Sequence, residues 1–268
     1  MSQFRLLVSL ALGFALSLSS VTAQWLDYPA PGVPRTADGK PNLSAPAPRT
    51  ADGRPDLSGV WETERGPASI ADLGDPVPLE FLDIGARLQG GLPYKPWAAQ
   101  LVKTRSVENR ISDPTSYGLP IGLVRIHTFP NPRKIIQVPG QLVILSEYNA
   151  SYRQIFTDGR KLDPDPNPTW NGYSTGKWDG DVLVVQSTGF RDGLWLDGAG
   201  NPLTDAAKIT ERFRRPNFGQ LEITITVDDP KAYTKPWTII LRQTLRLDTE
   251  LMDYIVNENE KDRQHYVK

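Results

Sequence analysis

The sequence predicts an all-β protein built as a closed antiparallel barrel, with a β-sandwich as the alternative. Three observations lead there. Ten short runs with strand character follow one another, with turn signals every 8 to 14 residues. No helical pattern separates the later runs, which disfavours a parallel α/β sheet. The chain also holds 22 glycines and 24 prolines in 268 residues, a composition of many turns rather than of helical bundles.

Charge and composition exclude several function classes. Lysine and arginine number 30 against 31 acidic residues, for a net charge of −1, so no basic footprint for nucleic acid exists. There is no cysteine, which excludes disulfides, thiolate catalysis and cysteine-ligated metal. His127 and His265 are the only histidines and stand far apart outside any ligand-spacing motif. No metal and no cofactor is therefore expected, and His127 reads as a solvated loop residue or one entering a barrel mouth. A Gly-x-Ser-x-Gly elbow, a Walker loop and a dinucleotide glycine pattern are all missing from the sequence.

Taken in order, residues 1–23 read as a signal peptide. Arg5 precedes an apolar run from Leu6 to Leu18, and Val21 and Ala23 sit at positions −3 and −1 of a cleavage site before Gln24. The apolar run is shorter than the roughly 20 residues that span a bilayer. The expectation is an exported protein, periplasmic or extracellular, with no transmembrane segment after cleavage. Residues 24–55 read as a Pro-rich linker. In it PRTADGKPNLS (34–44) returns as PRTADGRPDLS (48–58), a spacing of 14.

The β-barrel domain is placed at 56–262, followed by a frayed tail at 263–268. Its first strand, 56–62, carries Gly59-Val60-Trp61. This resembles the Gly-x-Trp opening strand of lipocalin-like (calycin) barrels, whose tryptophan plugs the closed end. A small helical or irregular insertion follows, with helices expected at Phe81–Leu88 and Pro96–Arg110; Trp97, Leu101 and Val107 fall on one side of the second.

The remaining strands are expected at 134–138, 142–148, 152–156, 172–178, 182–188, 208–214, 220–227, 238–247 and 252–257. Asp179-Gly180, flanked by alternating runs, predicts a type I′ hairpin turn between two of them.

Tyr152–Phe156, the stretch from Trp170 to Asp197, Glu211–Arg215 and Asp228–Trp237 together resemble a large family of exported bacterial proteins without an established activity. Pro55–Trp61 and Asn257-Glu258-Asn259 fit the same pattern, so the likeness covers about residues 55–262. The resemblance implies a lipocalin-like β-barrel. Many members carry His where Tyr173 stands and Cys where Tyr117 stands, and this chain departs from them at both.

Candidate site residues follow from strand parity, because alternate side chains share a face. Glu211 falls with Ile209 and Phe213 on an apolar face. A carboxylate there is either a general acid or base with a raised pKa, or half of an ion pair with an interior arginine such as Arg153. Gln243 falls with Ile239, Leu241 and Leu245, and Tyr152, Gln154 and Phe156 share one face. Tyr254 shares another with Val256 and Glu258.

A barrel cavity lined by Tyr152, Gln154, Tyr173, Glu211, Gln243 and Tyr254 would suit a small molecule; an interior packed with mutually satisfied polar groups suits the same pattern. Asp192 and Asp197 bracket Trp195 in a glycine-rich loop. An exposed Trp195 with these carboxylates would suit a sugar at the rim, and a structural or calcium-like loop is the alternative.

The leading expectation is a small-molecule-binding barrel, monomeric or dimeric. An enzyme acting on a carbohydrate or aromatic compound, with Glu211 and Tyr173 as acid–base pair, is the second. An envelope interaction module is the third.

Overall fold

The computed structural model describes residues 30, 32–66, 76–108, 111–256 and 258. The signal segment 1–23, His265 and the tail 263–268 lie outside the described residues.

A short strand β1 (Gly59–Thr63) opens the domain. The insertion follows, with helices α1 (Leu79–Leu82), α2 (Pro96–Val107) and α3 (Arg125–Thr128) and a 3-10 turn at Pro114–Tyr117. Then come β2 (Arg133–Val138), β3 (Gln141–Ser146), β4 (Tyr152–Phe156), β5 (Tyr173–Asp179) and β6 (Val182–Thr188). After a small two-stranded ribbon, β7 (Leu194–Trp195) with β8 (Pro202–Leu203), the chain finishes on β9 (Lys208–Asn217), β10 (Gln220–Asp228) and β11 (Trp237–Arg246).

Nine of these strands close into a barrel in the order β1-β11-β10-β9-β6-β5-β4-β3-β2. Every join is antiparallel except β4 with β5, which run parallel and share a single pairing, Phe156 with Thr175. The reason is arithmetic. Strands in a closed ring alternate direction perfectly only when their number is even, so nine force a parallel join somewhere. The described residues of the expected tenth strand 252–257, namely 252–256, form no strand. Tyr254 makes only an isolated parallel bridge to Tyr148, and the ring is left odd.

Strand alternation fills the interior. In β9, β10 and β11 every second residue is buried: Ile209, Glu211 and Phe213, then Leu221, Ile223, Ile225 and Val227, then Trp237, Ile239, Leu241, Gln243 and Leu245. Burial of this apolar surface drives ring closure. Trp61 is fully buried, its indole N–H donates to the Leu57 carbonyl at 3.0 Å, and the Arg215 guanidinium lies 4.9 Å from its ring. Gly59 is required here. Its φ is +143°, and a Cβ would lie 2.5 Å from Leu245 Cδ1.

Three local expectations change. The β5–β6 loop consists of Gly180 and Asp181, since Asp179 pairs with Val182, and only Gly180 has positive φ. Type I′ needs positive φ at both positions, so the turn follows the glycine-first II′ pattern instead. Helix α2 turns Ala98 and Arg105 inward and leaves Trp97 and Val107 exposed. The proline at 96 starts it, but its inner face holds an arginine, which a purely apolar reading overlooks.

The helix expected over Phe81–Leu88 is a single turn, Leu79–Leu82. Asp197 Oδ2 accepts from the Ile84 N–H, Asp83 Oδ1 from the Gly85 N–H, and the Asp83 and Gly85 carbonyls from the Ala86 and Leu88 N–H groups, so the chain continues in turns.

The segment expected as an extended linker is folded from residue 32 onward. Each copy of the repeat forms the same turn, with Thr36 N–H donating to Lys40 O and Gly39 N–H to Thr36 O, then Thr50 to Arg54 and Gly53 to Thr50. Leu43 and Ala45 carbonyls accept from Gly219 and Phe218 in the β9–β10 turn, and Arg49 grips Asp181 with two bonds of 2.9 and 2.7 Å. Local Thr–Asp hydrogen bonds and a guanidinium–carboxylate fork order a segment that has few large apolar side chains.

Candidate functional site: a filled barrel and a cleft at its seam

The barrel interior is built around Glu211. Strand β9 aims this carboxylate inward, and β4, on the opposite parity from Tyr152, aims Arg153 at it. Arg153 Nη1 donates to Glu211 Oε1 at 2.9 Å, and Nη2 donates to Oε2. The same guanidinium donates to Ser174 Oγ at 3.1 Å and Ser187 Oγ at 3.1 Å, two hydroxyls paired across β5 and β6.

Helix α3 enters from one side. His127 Nε2 lies 2.9 Å from Glu211 Oε1, and the His127 carbonyl accepts from Arg133 and Thr63.

The electrostatics are one-directional. Burial opposes ionisation of Glu211, yet the Arg153 charge and the bonds from His127 and Arg153 outweigh it and hold the carboxyl down at about 2. Burial likewise pushes the His127 pKa down, which keeps the imidazole neutral at pH 7. A neutral ring facing a carboxylate carries its proton on Nε2 and donates it; Nδ1 is then a buried acceptor without a partner.

Glu211, Phe213, Val185, Ile223 and Ile225 are 0% exposed and the His127 side chain 1%, so the interior around the carboxylate is tightly packed. In place of a hollow cavity, Glu211 sits in a packed polar core, the second of the two readings that the pattern allowed, except that His127 Nδ1, Arg133 Nε and Gln243 Oε1 lack a partner there. His127 belongs to that core and not to solvent.

The other expected site residues are dispersed. Gln243 points inward, its Nε2 3.5 Å from the His127 carbonyl. Trp195 is 4% exposed, sandwiched in the β7–β8 ribbon with Arg105 4.5 Å from its ring, and so offers no stacking face at a rim. Asp197 is fully buried and accepts from Ile84 N–H at 2.6 Å and from Asn201 N–H at 3.1 Å, closing that ribbon. Burial pushes its pKa up to about 6 against these donors. Asp192 is exposed in a shallow depression with Lys95, Trp97 and Lys231. Tyr254 is half-exposed beside Tyr148, with ring centroids 5.8 Å apart, outside the ring.

Tyr152, Gln154 and Tyr173 do come together, but on the outer surface. Tyr152 is 63% and Tyr173 39% exposed. They line a cleft of about 520 Å3 at the parallel join of β4 and β5, together with Asn149, Trp170 and Asn171. Arg153 and Ser174 reach its floor, so the cleft abuts the Glu211 core. The wall is weak here because one bridge holds the two strands, and Asn171 Nδ2 spans the gap to the Tyr152 carbonyl at 3.0 Å.

The turn leading into β4 is unusual. Asn149 (φ +52°) and Ala150 (φ +46°) both take the left-handed conformation without being glycine. Such strain persists where surrounding structure enforces it, and it gathers at sites.

The alternation of β4 was legible, but its expected sense, with Tyr152 and Gln154 lining the interior, is reversed. In YRQIF the aromatic residues fall on one face and only Ile155 on the other, so burial of Arg153 depends on its partner Glu211 across the barrel. Asn149 and Asn171 carry no sequence signal beyond their turn propensity.

Among the described residues, no three His, Cys, Asp or Glu side chains gather where they could hold a metal ion, and no helix is long and apolar enough to cross a membrane. In comparison with known proteins, no family model and no curated protein matches the chain.

Proposed function

We propose that this protein is an exported, lipocalin-like barrel that binds a small molecule, and that the ligand occupies the β4–β5 cleft rather than the barrel interior. The signal segment at 1–23 supports export. The observation that carries the binding site is the cleft itself. Its volume lies within the usual range for small-molecule sites, about 300 to 1,000 Å3. Two tyrosines, Tyr152 and Tyr173, expose ring surface into it while polar amides flank them.

An acid–base enzyme built on Glu211 and Tyr173 gains no support from the geometry. Glu211 is ionised, fully paired and out of reach of solvent, while Tyr173 faces outward. The interaction-module reading is likewise weakened, because the repeat region packs on its own barrel. The test is to incubate the mature chain with a metabolite extract and to identify retained compounds by mass spectrometry. The cleft site predicts a retained compound that Tyr152→Ala/Tyr173→Ala releases without a change in thermal stability. Equal retention by this double variant would place the site elsewhere.

A further inference from the structure

The cleft is chemically selective, and we infer from its lining that its ligand is a neutral saccharide; this inference rests on the cleft being the binding site. Charge is the first discriminator. Among the described residues no Asp, Glu, Lys or His lines the cleft, and the one charged lining residue is Arg153. Both terminal nitrogens of Arg153 are already committed to Glu211, Ser174 and Ser187. Beside the lining rings, Arg160 is held by Asp158 and Arg191 lies over Trp170. A cationic ligand would therefore lose hydration without meeting a carboxylate and an anionic one would have Arg191 alone in reach, a cost of burial that a neutral ligand avoids.

The polar lining supplies the second discriminator. Asn149 Oδ1 accepts from the Val256 N–H at 3.1 Å, and Asn171 Nδ2 donates to the Tyr152 carbonyl at 3.0 Å. These bonds fix both amide orientations, which are otherwise interchangeable by a flip. The opposite ends, Asn149 Nδ2 and Asn171 Oδ1, have almost no accessible surface, so the polar groups left to a ligand are those of Gln154, Ser151 and Thr169, which both donate and accept. A hydroxyl donates and accepts at once, so it satisfies both kinds of demand, as neither a carboxylate nor an ammonium does. Several hydroxyls on one ring do so at separate points.

Aromatic faces complete the fit. Arg160 lies 3.8 Å from the Phe156 ring centre and Arg191 5.0 Å from that of Trp170, so both rings already carry a cation. Tyr152 and Tyr173 carry none, and they present the faces on which the C–H surface of a pyranose stacks.

The experiment uses the mature chain and saturation-transfer NMR with calorimetry. The probes are neutral di- and trisaccharides of glucose, galactose and N-acetylglucosamine, together with glucuronate, glucosamine and simple phenols. The inference predicts that a neutral saccharide binds, that Tyr152→Ala weakens it at least tenfold, and that the acidic and amino sugars bind at least tenfold more weakly. Binding of phenols or charged sugars alone, still lost on Tyr152→Ala, overturns the saccharide assignment and leaves the cleft as the site. A probe bound equally by wild type and by the Tyr152→Ala/Tyr173→Ala variant overturns both. So does binding of none of the probes, if the metabolite extract also yields no compound whose retention depends on these two tyrosines.

Discussion

Replacing Glu211 by glutamine is the sharpest test of the packed interior. The substitution keeps the shape and one acceptor oxygen but removes the charge that neutralises Arg153, which is only 2% exposed. Lowering a carboxyl from its ordinary 4.5 to about 2 corresponds to about 3 kcal/mol of native-state preference for the ionised form. Breaking one half of a buried pair costs about 3–5 kcal/mol, because the partner charge is left uncompensated. The two figures agree, and for a chain of this size they mean a melting temperature lower by about 10 °C.

The assay is urea unfolding followed by tryptophan fluorescence at pH 7. The midpoint should fall while the slope stays constant. The double variant Glu211→Gln/Arg153→Met removes both charges and should recover at least half of the loss. Glu211→Gln with stability within about 1 kcal/mol of wild type would refute the reasoning, since it would mean that Arg153 reaches water or another anion.

Further outcomes follow from other sites. Asp197 has a native pKa of about 6 against an ordinary 3.8, so its contribution is fully present below 3.8 and is lost as pH rises through 6. Relative to Asp197→Asn, the wild type should therefore lose about 3 kcal/mol across that window, read from unfolding curves taken at half-unit steps. His127 acts with the opposite sign. Its pKa is depressed, so its contribution is intact above 6.5 and declines as pH falls below it; His127→Gln should flatten that limb of the stability–pH profile.

Gly172→Ala should destabilise by about 2 kcal/mol or more. The position has φ +62°, and a Cβ would lie 2.6 Å from the Thr188 carbonyl oxygen. Arg49→Ala removes an exposed fork to Asp181 and should leave the urea midpoint unchanged, while it increases proteolytic cutting between residues 45 and 55.

Much of the architecture was legible because alternation is a local property. Ile209-Thr210-Glu211-Arg212-Phe213 places Glu211 on the apolar face whatever surrounds it, and Gln243 is assigned inward by the same rule. Nine of the ten expected strands are in the barrel, since turn residues and branched apolar runs punctuate the chain at each hairpin. Where a strand is short and its two faces are similarly apolar, as in Tyr152–Phe156, the pattern states which residues are together and not which side is inside. The presence of Glu211 opposite Arg153 decides that, and the two residues are 58 positions apart.

The sequence by itself determined an all-β chain with a buried carboxylate and a cluster of tyrosines around β4 and β5. Only the tertiary structure decided that the ring closes on nine strands, because closure depends on whether residues 252–256 find an edge to pair with. That odd number forces one parallel join, and the join opens the wall where Tyr152, Tyr173, Asn149 and Asn171 meet. Filling of the interior was equally a global outcome. An arginine and a glutamate from distant segments neutralise each other there, with a neutral histidine from a third hydrogen-bonded to the carboxylate, and no local pattern encodes their meeting.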